Sequence, residues 1–239
     1  MQKLIVLPGG SLQGNVHIPG DKSITHRALI LSALSAVGRE IVLHNWLQSL
    51  DCYATLNALL AMGVKFTRLD VDKLLIRSVG LYGLEEPAKI LDVGNSGTSI
   101  RLLTGVLAGQ KFSSQITGDA SLCRRPMQRI ITPLTQMGAK IEAVEQQYAP
   151  LKISGQQKLR AITYHMPMAS AQVKSGVLLA GLWAEGETVI TEPAPTRDHS
   201  ERMLRGFGYE VNTEGSTIRI RGGGKLTATK IDVPADISS

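Results

Sequence analysis

The sequence is poor in aromatic residues and in cysteine, and each shortage narrows what the chain can be. Aromatic side chains make up 4% of its 239 residues, too few for the base-stacking surface that single-strand nucleic-acid binders use. Cys52 and Cys123 stand far apart in the sequence, so they indicate neither a disulfide framework nor a metal motif. We therefore expect a reducing, cytoplasmic setting.

Long apolar runs and the common cofactor patterns are also absent from the sequence. Residues 1–8 lack the apolar core of a signal peptide, and no later stretch approaches the length of a membrane span. No nucleotide-binding fingerprint, metal-ligand cluster or nucleophile–base pair stands out. The glycines at 222–224 precede no predicted helix, so they indicate a turn and not a phosphate loop. We expect no metal, no cofactor and no membrane partner.

What the sequence does have is a modest excess of scattered positive charge. Lysine and arginine number 26 against 20 acidic residues, which gives a net charge of +6. No run of five basic residues occurs, and scattered cations suit a small anionic ligand better than a nucleic-acid backbone. Apolar residues make up 43% of the chain, which is ordinary for a globular protein able to bury a core.

The first indication of an anion site is the stretch from Pro19 to Arg27. An extended segment ends at Pro19-Gly20, and a helix with an apolar face follows. The start of a helix leaves backbone N–H groups unpaired and carries partial positive charge. Lys22 at the mouth of this helix, Ser23 in its first turn and Arg27 one turn later would add two cations and a hydroxyl.

The same order of elements is predicted three times along the chain. The first pass has two short strands within 3–18, a helix to about residue 36, a strand at 40–45, a helix at 51–62 and hairpin arms at 64–67 and 74–77. The second has a strand at 89–93, helices at 99–107 and 126–137 around a strand at 114–117, and hairpin arms at 140–144 and 151–153. The third has helices at 170–182 and 198–207 around a strand at 188–191, and a closing hairpin. Asp51 and Asp198 are predicted helix caps.

The spacing of two independent markers supports a true repeat. Gly63, Gly138 and Gly208, which stop the second helices, are 75 and 70 residues apart. The first-helix cations Arg27, Arg101 and Lys174 are 74 and 73 apart. A period near 72 implies three βαβαββ units with helices inside and sheets outside, an α/β fold with pseudo-threefold symmetry. The three first helices would then start at one strongly cationic end.

The end of the sequence echoes its beginning. Residues 231–239 resemble residues 16–23, and Pro234 lies 215 residues after Pro19, which is three periods. We interpret this as the start of a fourth unit, and expect the chain to be half of a longer protein.

Five motifs in order resemble the enolpyruvyl transferases, and the resemblance covers the whole chain. They are Pro-Gly-Asp-Lys-Ser-Ile-Thr-His-Arg at 19–27, Asp-Val-Gly-Asn-Ser-Gly-Thr-Ser-Ile-Arg at 92–101, Thr-Gly-Asp-Ala-Ser-Leu-Cys-Arg-Arg-Pro-Met at 117–127, Ala-Ser-Ala-Gln-Val-Lys-Ser at 169–175 and Thr-Arg-Asp-His-Ser-Glu-Arg-Met-Leu at 196–204. The family has two domains, each an inside-out α/β barrel of three βαβαββ units. The resemblance implies that residues 1–20 are an N-terminal strand and crossing segment, that 21–224 form one domain with units at about 21–88, 89–157 and 158–224, and that 225–239 cross toward a second domain.

The resemblance also implies a reaction and its contacts. Within the family, the motifs are most similar to members that transfer the enolpyruvyl group of phosphoenolpyruvate to shikimate 3-phosphate, a step of aromatic amino-acid biosynthesis that glyphosate blocks. Phosphoenolpyruvate would contact Lys22, which is also the implied catalytic residue, together with Asn95, Gly97 and Arg125. Shikimate 3-phosphate would contact Lys22, Ser23, Arg27, Ser170, Gln172 and Arg197. The acid–base groups would come from the second domain, so these residues alone would be inactive.

Two other functions remain open at this point. A sister enzyme acts on UDP-N-acetylglucosamine, but it has asparagine where this chain has Ser23, and its reactive cysteine lies further upstream than Cys123. We therefore interpret Cys123 as an incidental thiol. Arg101, expected to be buried beneath the glycine turn, is interpreted as a structural support. A non-catalytic anion-binding or RNA-binding domain of related fold is the other alternative, which the scattered cations and few aromatics disfavour.

Overall fold

The computed structural model describes residues 5, 9–11, 13–156, 158–227 and 230–238. Its helices alternate with short strands along the chain. The α-helices are α1 (Lys22–Leu34), α2 (Leu50–Ala61), α3 (Gly97–Ala108), α4 (Gln128–Gln136), α5 (Ala171–Gly181) and α6 (His199–Gly206), and a short 3-10 helix spans Leu122–Arg124. The strands are β1 (Glu40–His44), β2 (Lys65–Arg68), β3 (Lys73–Arg77), β4 (Leu91–Asp92), β5 (Ser114–Thr117), β6 (Ile141–Val144), β7 (Tyr148–Ile153), β8 (Thr163–His165), β9 (Glu187–Thr191), β10 (Val211–Glu214), β11 (Thr217–Arg221) and β12 (Ile231–Asp232).

The strands form three four-stranded sheets of the same design. Their orders are β12-β1-β3-β2, β4-β5-β7-β6 and β8-β9-β11-β10. In each sheet the first two strands are parallel, because a helix lies between them in the chain or they come from distant segments, and the remaining neighbours are antiparallel. The α/β fold of three repeated units is therefore confirmed.

The helix-stop glycines behave alike in all three units. Gly63, Gly138 and Gly208 follow the C-caps of α2, α4 and α6 and have φ values of +87°, +99° and +73°. A left-handed residue at this position lets the chain leave the helix, and glycine adopts it without steric cost. The three predicted helix stops, whose spacing indicated the repeat, are therefore confirmed.

The core lies around α1, α3 and α5, which are buried on nearly all sides. Helices α3 and α5 approach each other most closely at Gly105 and Gly176, where a Cβ on Gly105 would lie 2.1 Å from the Gly176 carbonyl oxygen. Met62 and Met137 are fully buried, as predicted. The helices α2, α4 and α6 have one exposed face each, and the sheets pack against α1, α3 and α5 through β3, β5 and β9.

The tail completes the first sheet. Leu43 of β1 pairs in parallel with Ile231 of β12, in the place that β4 and β8 occupy in the other two sheets. Beyond β12, Ala235 bridges Gly20, and the Asp21 N–H donates to the Pro234 carbonyl at 2.9 Å. The first and last segments of the described chain therefore run side by side.

Several predicted elements differ from those observed. Residues 13–18 form no strand, because no strand in the described ranges pairs with them, and most of the other predicted strand lies outside those ranges. The helix predicted from residue 126 begins at Gln128, because its N-cap Met127 has non-helical backbone angles (φ −102°, ψ 3°). The strand predicted at 89–93 is limited to Leu91–Asp92. Asp51 is not a cap, since Ser49 caps α2.

Candidate anion-binding site

The first turns of α1, α3 and α5 meet at one end of the core. Side-chain hydrogen bonds link α1 to α3 through Thr55 of α2, and both helices directly to α5. They run from His26 Nδ1 to Thr55 Oγ1 at 2.8 Å, Thr55 Oγ1 to Ser99 Oγ at 2.7 Å, Arg101 Nη1 to Gln172 Oε1 at 2.9 Å and Arg27 Nη2 to Ser175 Oγ at 2.6 Å. The prediction that the three helix starts lie together is confirmed. Their N-terminal N–H groups are therefore gathered where most of the predicted site residues lie.

Lys22 is the first residue of α1, whose N-cap is Asp21. Its Nζ lies 3.2 Å from Asp51 Oδ2, and 46% of its side chain is exposed. An exposed pair of this kind contributes little to stability, so Lys22 can exchange Asp51 for an anionic ligand at small cost. Ser23 is half-buried beside it.

The glycine turn before α3 carries a second group of predicted residues. Arg125, which follows the 3-10 helix, donates to Asn95 Oδ1 and, at 3.4 Å, to the Asn95 carbonyl. The Asn95 Nδ2 in turn donates to Asp119 at 2.8 Å, and this bond leads the causes that lower the pKa of Asp119. Arg125 is thus oriented by the turn that it covers.

Gly97 lies between two guanidinium groups. A Cβ at this position would be 2.9 Å from Arg101 Nη1 and 3.4 Å from Arg125 Nη1. Any side chain would therefore displace one or both cations. The prediction that glycine leaves room here is supported by this geometry, although the groups that need the room are arginine side chains.

Arg101 supports this turn from below. Its Nη1 donates to the Gly97 carbonyl at 3.0 Å and to Gln172 Oε1 at 2.9 Å. Burial lowers the pKa of Arg101, and the charges of Arg125 and Arg129 lower it further. Gln172 also donates to Thr98 Oγ1 at 2.9 Å, so it is fixed by α3. These contacts fit the predicted supporting role of Arg101.

Arg27 is buried more deeply than its predicted role suggests. It is 3% exposed, and it donates to Ser200 Oγ at 2.7 Å, to Ser175 Oγ at 2.6 Å and to the Ser23 carbonyl at 2.7 Å. Burial lowers the pKa of Arg27 to about 10, with the charges of Glu201 and Asp21 opposing the shift. Arg27 remains a cation at neutral pH, and its contact with a ligand stays a prediction.

Ser170 and Arg197 lie just before the starts of α5 and α6, respectively. Ser170 caps α5, and its Oγ accepts the Val173 N–H at 3.3 Å while its own hydroxyl proton is left to donate. Arg197 is exposed just before α6, and its charge lowers the pKa values of Arg27 and His199, in both cases as a smaller cause than burial. Arg197 is therefore on the same side of the molecule as Arg27.

Sequence reasoning missed the polar groups beneath these residues. They are the hydroxyls of Thr55, Ser99, Ser175 and Ser200, and the buried ion pairs of Lys174 with Glu192 and Glu201. Lys174 was expected to add charge to the cationic end, but it is wholly buried and paired. One signal was available, since Glu201 lies three residues before the buried Leu204, on the inner face of α6.

No group of three or more histidine, cysteine, aspartate or glutamate side chains in the described part of the chain could hold a metal ion. No helix among the same residues has the length and apolar character needed to cross a bilayer.

The fold and the site together define a repeated α/β domain with helix N-termini and clustered cations at one end of its core, an arrangement suited to anions. The sequence profile of the family described as EPSP synthase (3-phosphoshikimate 1-carboxyvinyltransferase) matches residues 6–239. The chain belongs to the EPSP synthase family.

Individual relatives agree with this assignment. Proteins named 3-phosphoshikimate 1-carboxyvinyltransferase from Methylococcus capsulatus and Alkalilimnicola ehrlichii are 57% and 55% identical over 97% and 98% of the chain, which covers 53% and 52% of their lengths. An EPSP synthase structure from Acinetobacter baumannii is 52% identical, with a TM-score of 0.93, over 98% of this chain and 52% of that one. The chain thus spans about half the length of the relatives it matches.

Proposed function

We propose that the chain is the shikimate 3-phosphate-binding half of an enzyme that transfers the enolpyruvyl group of phosphoenolpyruvate to shikimate 3-phosphate. The observation that carries the proposal is the meeting of three helix starts, held by Arg27–Ser175 and Arg101–Gln172 hydrogen bonds. Both substrates carry several negative charges, which N-terminal N–H groups and cations bind through charge-assisted hydrogen bonds. The names and identity of the relatives support the same reaction.

For phosphoenolpyruvate we propose Lys22, Asn95, Gly97 and Arg125 as contacts. Arg125 is already oriented by Asn95, so little side-chain entropy remains to be lost on binding. Lys22 lies half-exposed at the start of α1, where it can reach both substrates and act in catalysis. Glyphosate, an anion as well, would compete at this position.

For shikimate 3-phosphate we propose Lys22, Ser23, Arg27, Ser170, Gln172 and Arg197. Ser170 and Arg197 would hold the phosphate, because one offers a free hydroxyl proton at a helix start and the other an exposed guanidinium. Ser23 and Arg27 would hold the ring carboxylate, and Gln172, fixed by Arg101 and Thr98, would lie against the ring.

The remaining chemistry is assigned to a second half of the enzyme. We propose that residues 21–224 form one domain, and that 1–20 and 225–239 cross toward the other. The bridge between Gly20 and Ala235, which places two chain segments side by side, supports this division. Electrostatic binding without proton transfer is only part of such a catalyst. The chain alone is therefore expected to bind substrate without turnover.

Titration calorimetry with two ligands tests the proposal. We expect the chain to bind shikimate 3-phosphate at least about tenfold more tightly than shikimate, because a charge-assisted phosphate contact contributes roughly 1.5–3 kcal/mol. Arg197→Ala should remove most of this preference. Arg202→Ala, which deletes an exposed charge on α6, is the matched control and should leave the preference unchanged. Equal affinity of the wild-type chain for the two ligands would contradict the proposal.

A further inference from the structure

Lys174 occupies the repeat position of Arg27 and Arg101, yet none of its side chain is exposed. Its Nζ lies 2.9 Å from Glu192 Oε2 and 2.6 Å from Glu201 Oε1. The two carboxylates are 7% and 2% exposed. One ammonium group in the interior therefore joins two glutamates that come from different elements.

The two glutamates stand at the two ends of the segment that carries Arg197. Glu192 follows β9 directly, and Glu201 lies in the first turn of α6. Between them Thr196 donates its hydroxyl proton to Glu192 Oε1. Lys174 thus connects the two ends of segment 192–201. Thr196, the residue before Arg197, is bound to Glu192, one of the two carboxylates that Lys174 holds.

The rest of this segment has few internal supports. Residues 193–195, 197 and 198 are exposed, while Pro193 and Pro195 limit the backbone without fixing its direction. Arg27 holds the start of α6 through Ser200 at 2.7 Å. Without the glutamate contacts, the residues just before α6 would depend mainly on this bond and on the strand that precedes them.

A purely structural role does not require ions here. Replacing a buried ion pair by apolar side chains is often neutral or stabilising, because removing charges from water is costly. The Arg27 guanidinium is near enough to Glu201 for that charge to raise the pKa of Arg27 against the larger effect of burial. Two cations and two carboxylates thus balance in the interior, and they converge on the loop that presents Arg197.

We propose that Lys174 is a positioning residue for Arg197. By holding both ends of segment 192–201, it directs the Arg197 guanidinium toward the start of α5, where Ser170 lies one turn before Lys174 on the same helix. The loop is then ordered before the ligand arrives, which lowers the entropic cost of binding. This inference rests on the proposed function, in which Arg197 contacts the phosphate of the ligand.

The first measurement needs no ligand. Amide hydrogen exchange at Glu192 and Arg202, whose N–H groups donate to the Ser216 and Asp198 carbonyls at the two ends of the loop, is compared among the wild-type chain, Thr196→Val, Lys174→Met and Leu59→Ala. Leu59, buried in α2, is the matched control, because its truncation destabilises the fold without touching the loop. Exchange should be about threefold faster in Thr196→Val and at least about tenfold faster in Lys174→Met, measured relative to the β5 amides. Leu59→Ala should leave this ratio unchanged.

The second measurement is the ratio of affinities for shikimate 3-phosphate and shikimate. Shikimate lacks the phosphate, so its affinity is an internal control for general damage to the site. The ratio should fall about threefold in Thr196→Val and about tenfold in Lys174→Met, and stay constant in Leu59→Ala. A purely structural Lys174 would change both affinities together.

The outcomes separate this inference from the proposed function. A wild-type chain without phosphate preference would overturn both. A preference that Arg197→Ala removes but Lys174→Met and Thr196→Val retain would overturn the positioning role alone. If Lys174→Met does not fold, Thr196→Val decides: a lowered ratio with faster loop exchange supports the role, and an unchanged ratio overturns it.

Discussion

Arg101 and Lys174 occupy the same place in two repeat units, but their surroundings are opposite. Arg101 is half-buried in α3, and the nearby charges that lower its pKa, after burial itself, are the cations Arg125 and Arg129. Lys174 in α5 is fully buried between two carboxylates. The second unit places several cations beside a glycine turn. In the third unit, two glutamates neutralise the equivalent cation.

The difference shows that the repeat preserves the backbone fold but not the function of the cationic side chain at this position. Helices α3 and α5 pack against each other at Gly105 and Gly176, and each cation lies in the first part of its helix. Where the neighbouring loop supplies a second arginine, the excess charge is available to an anion. Where it supplies glutamates, the charge is used to hold the loop.

Removing Lys174 or Arg101 should have very different effects on the free energy of unfolding. Lys174→Met leaves two buried carboxylates near a single arginine, so we expect the free energy of unfolding to fall by about 3–5 kcal/mol. Arg101→Met loses two hydrogen bonds but also relieves repulsion from Arg125, so the fall should be only about 1 kcal/mol. Urea denaturation of both variants and the wild-type chain measures the difference.

A neutralised background provides the control. In Lys174→Met/Glu192→Gln the charges that stay buried are Arg27 and Glu201, which balance each other, so much of the lost stability should return. Equal losses in the two single variants would show that the buried pairs add nothing beyond ordinary hydrogen bonds, and that the contrast between the units is only geometric.

The backbone of this fold could be predicted from sequence because the repeat leaves local signals. Gly63, Gly138 and Gly208 each need a left-handed conformation, and their spacing alone located three equivalent helix ends. Lys22, Ser23 and Arg27 were singled out because they lie at a predicted helix start, whereas Gly97 and Arg125 were named because their motifs resemble those of the enolpyruvyl transferases. Their contacts with a ligand stay a prediction.

The polar interior could not be predicted in this way. The contacts Arg27–Ser200 and Lys174–Glu192 join residues that are far apart in sequence, and a solvated arginine or lysine looks the same as a buried one in a linear pattern. The missing N-terminal strand has another cause. Alternation favours a strand in residues 13–18, but a strand also needs a neighbour to pair with its backbone groups.

His26 is a third buried basic residue, and unlike Arg101 and Lys174 the fold favours its neutral form. It is fully buried, its Nδ1 bonds to Thr55 at 2.8 Å, and burial lowers its pKa from 6.5 to about 3. Between these values the unfolded chain binds more protons than the folded one, so stability falls as the pH decreases below 6.5. His26 should contribute about 1.5 kcal/mol of lost stability between pH 6.5 and 5.

Comparing His26→Asn with the wild-type chain isolates this contribution. An asparagine amide can replace Nδ1 as the partner of Thr55 and does not titrate in this range. The variant should therefore lose about 1.5 kcal/mol less than the wild type over the same pH interval. Parallel pH profiles for the two proteins would show that His26 is not held neutral by the fold.

The smallest expected effect is that of Gly97→Ala, in the unit that contains Arg101 and Arg125. This substitution should weaken ligand binding without lowering the free energy of unfolding. In Gly97→Ala the new methyl group would meet Arg101 Nη1 at 2.9 Å and Arg125 Nη1 at 3.4 Å. Both atoms end flexible side chains, so the fold can yield, and alanine in the first turn of a helix adds up to about 1 kcal/mol of stability. The displaced guanidinium groups should weaken phosphoenolpyruvate and glyphosate binding about fivefold, or about 1 kcal/mol. Gly206→Ala, whose methyl group would meet nothing within 4 Å, is the matched control and should leave both affinities unchanged. Unaltered binding in Gly97→Ala would show that the two arginines beside this glycine do not hold the ligand.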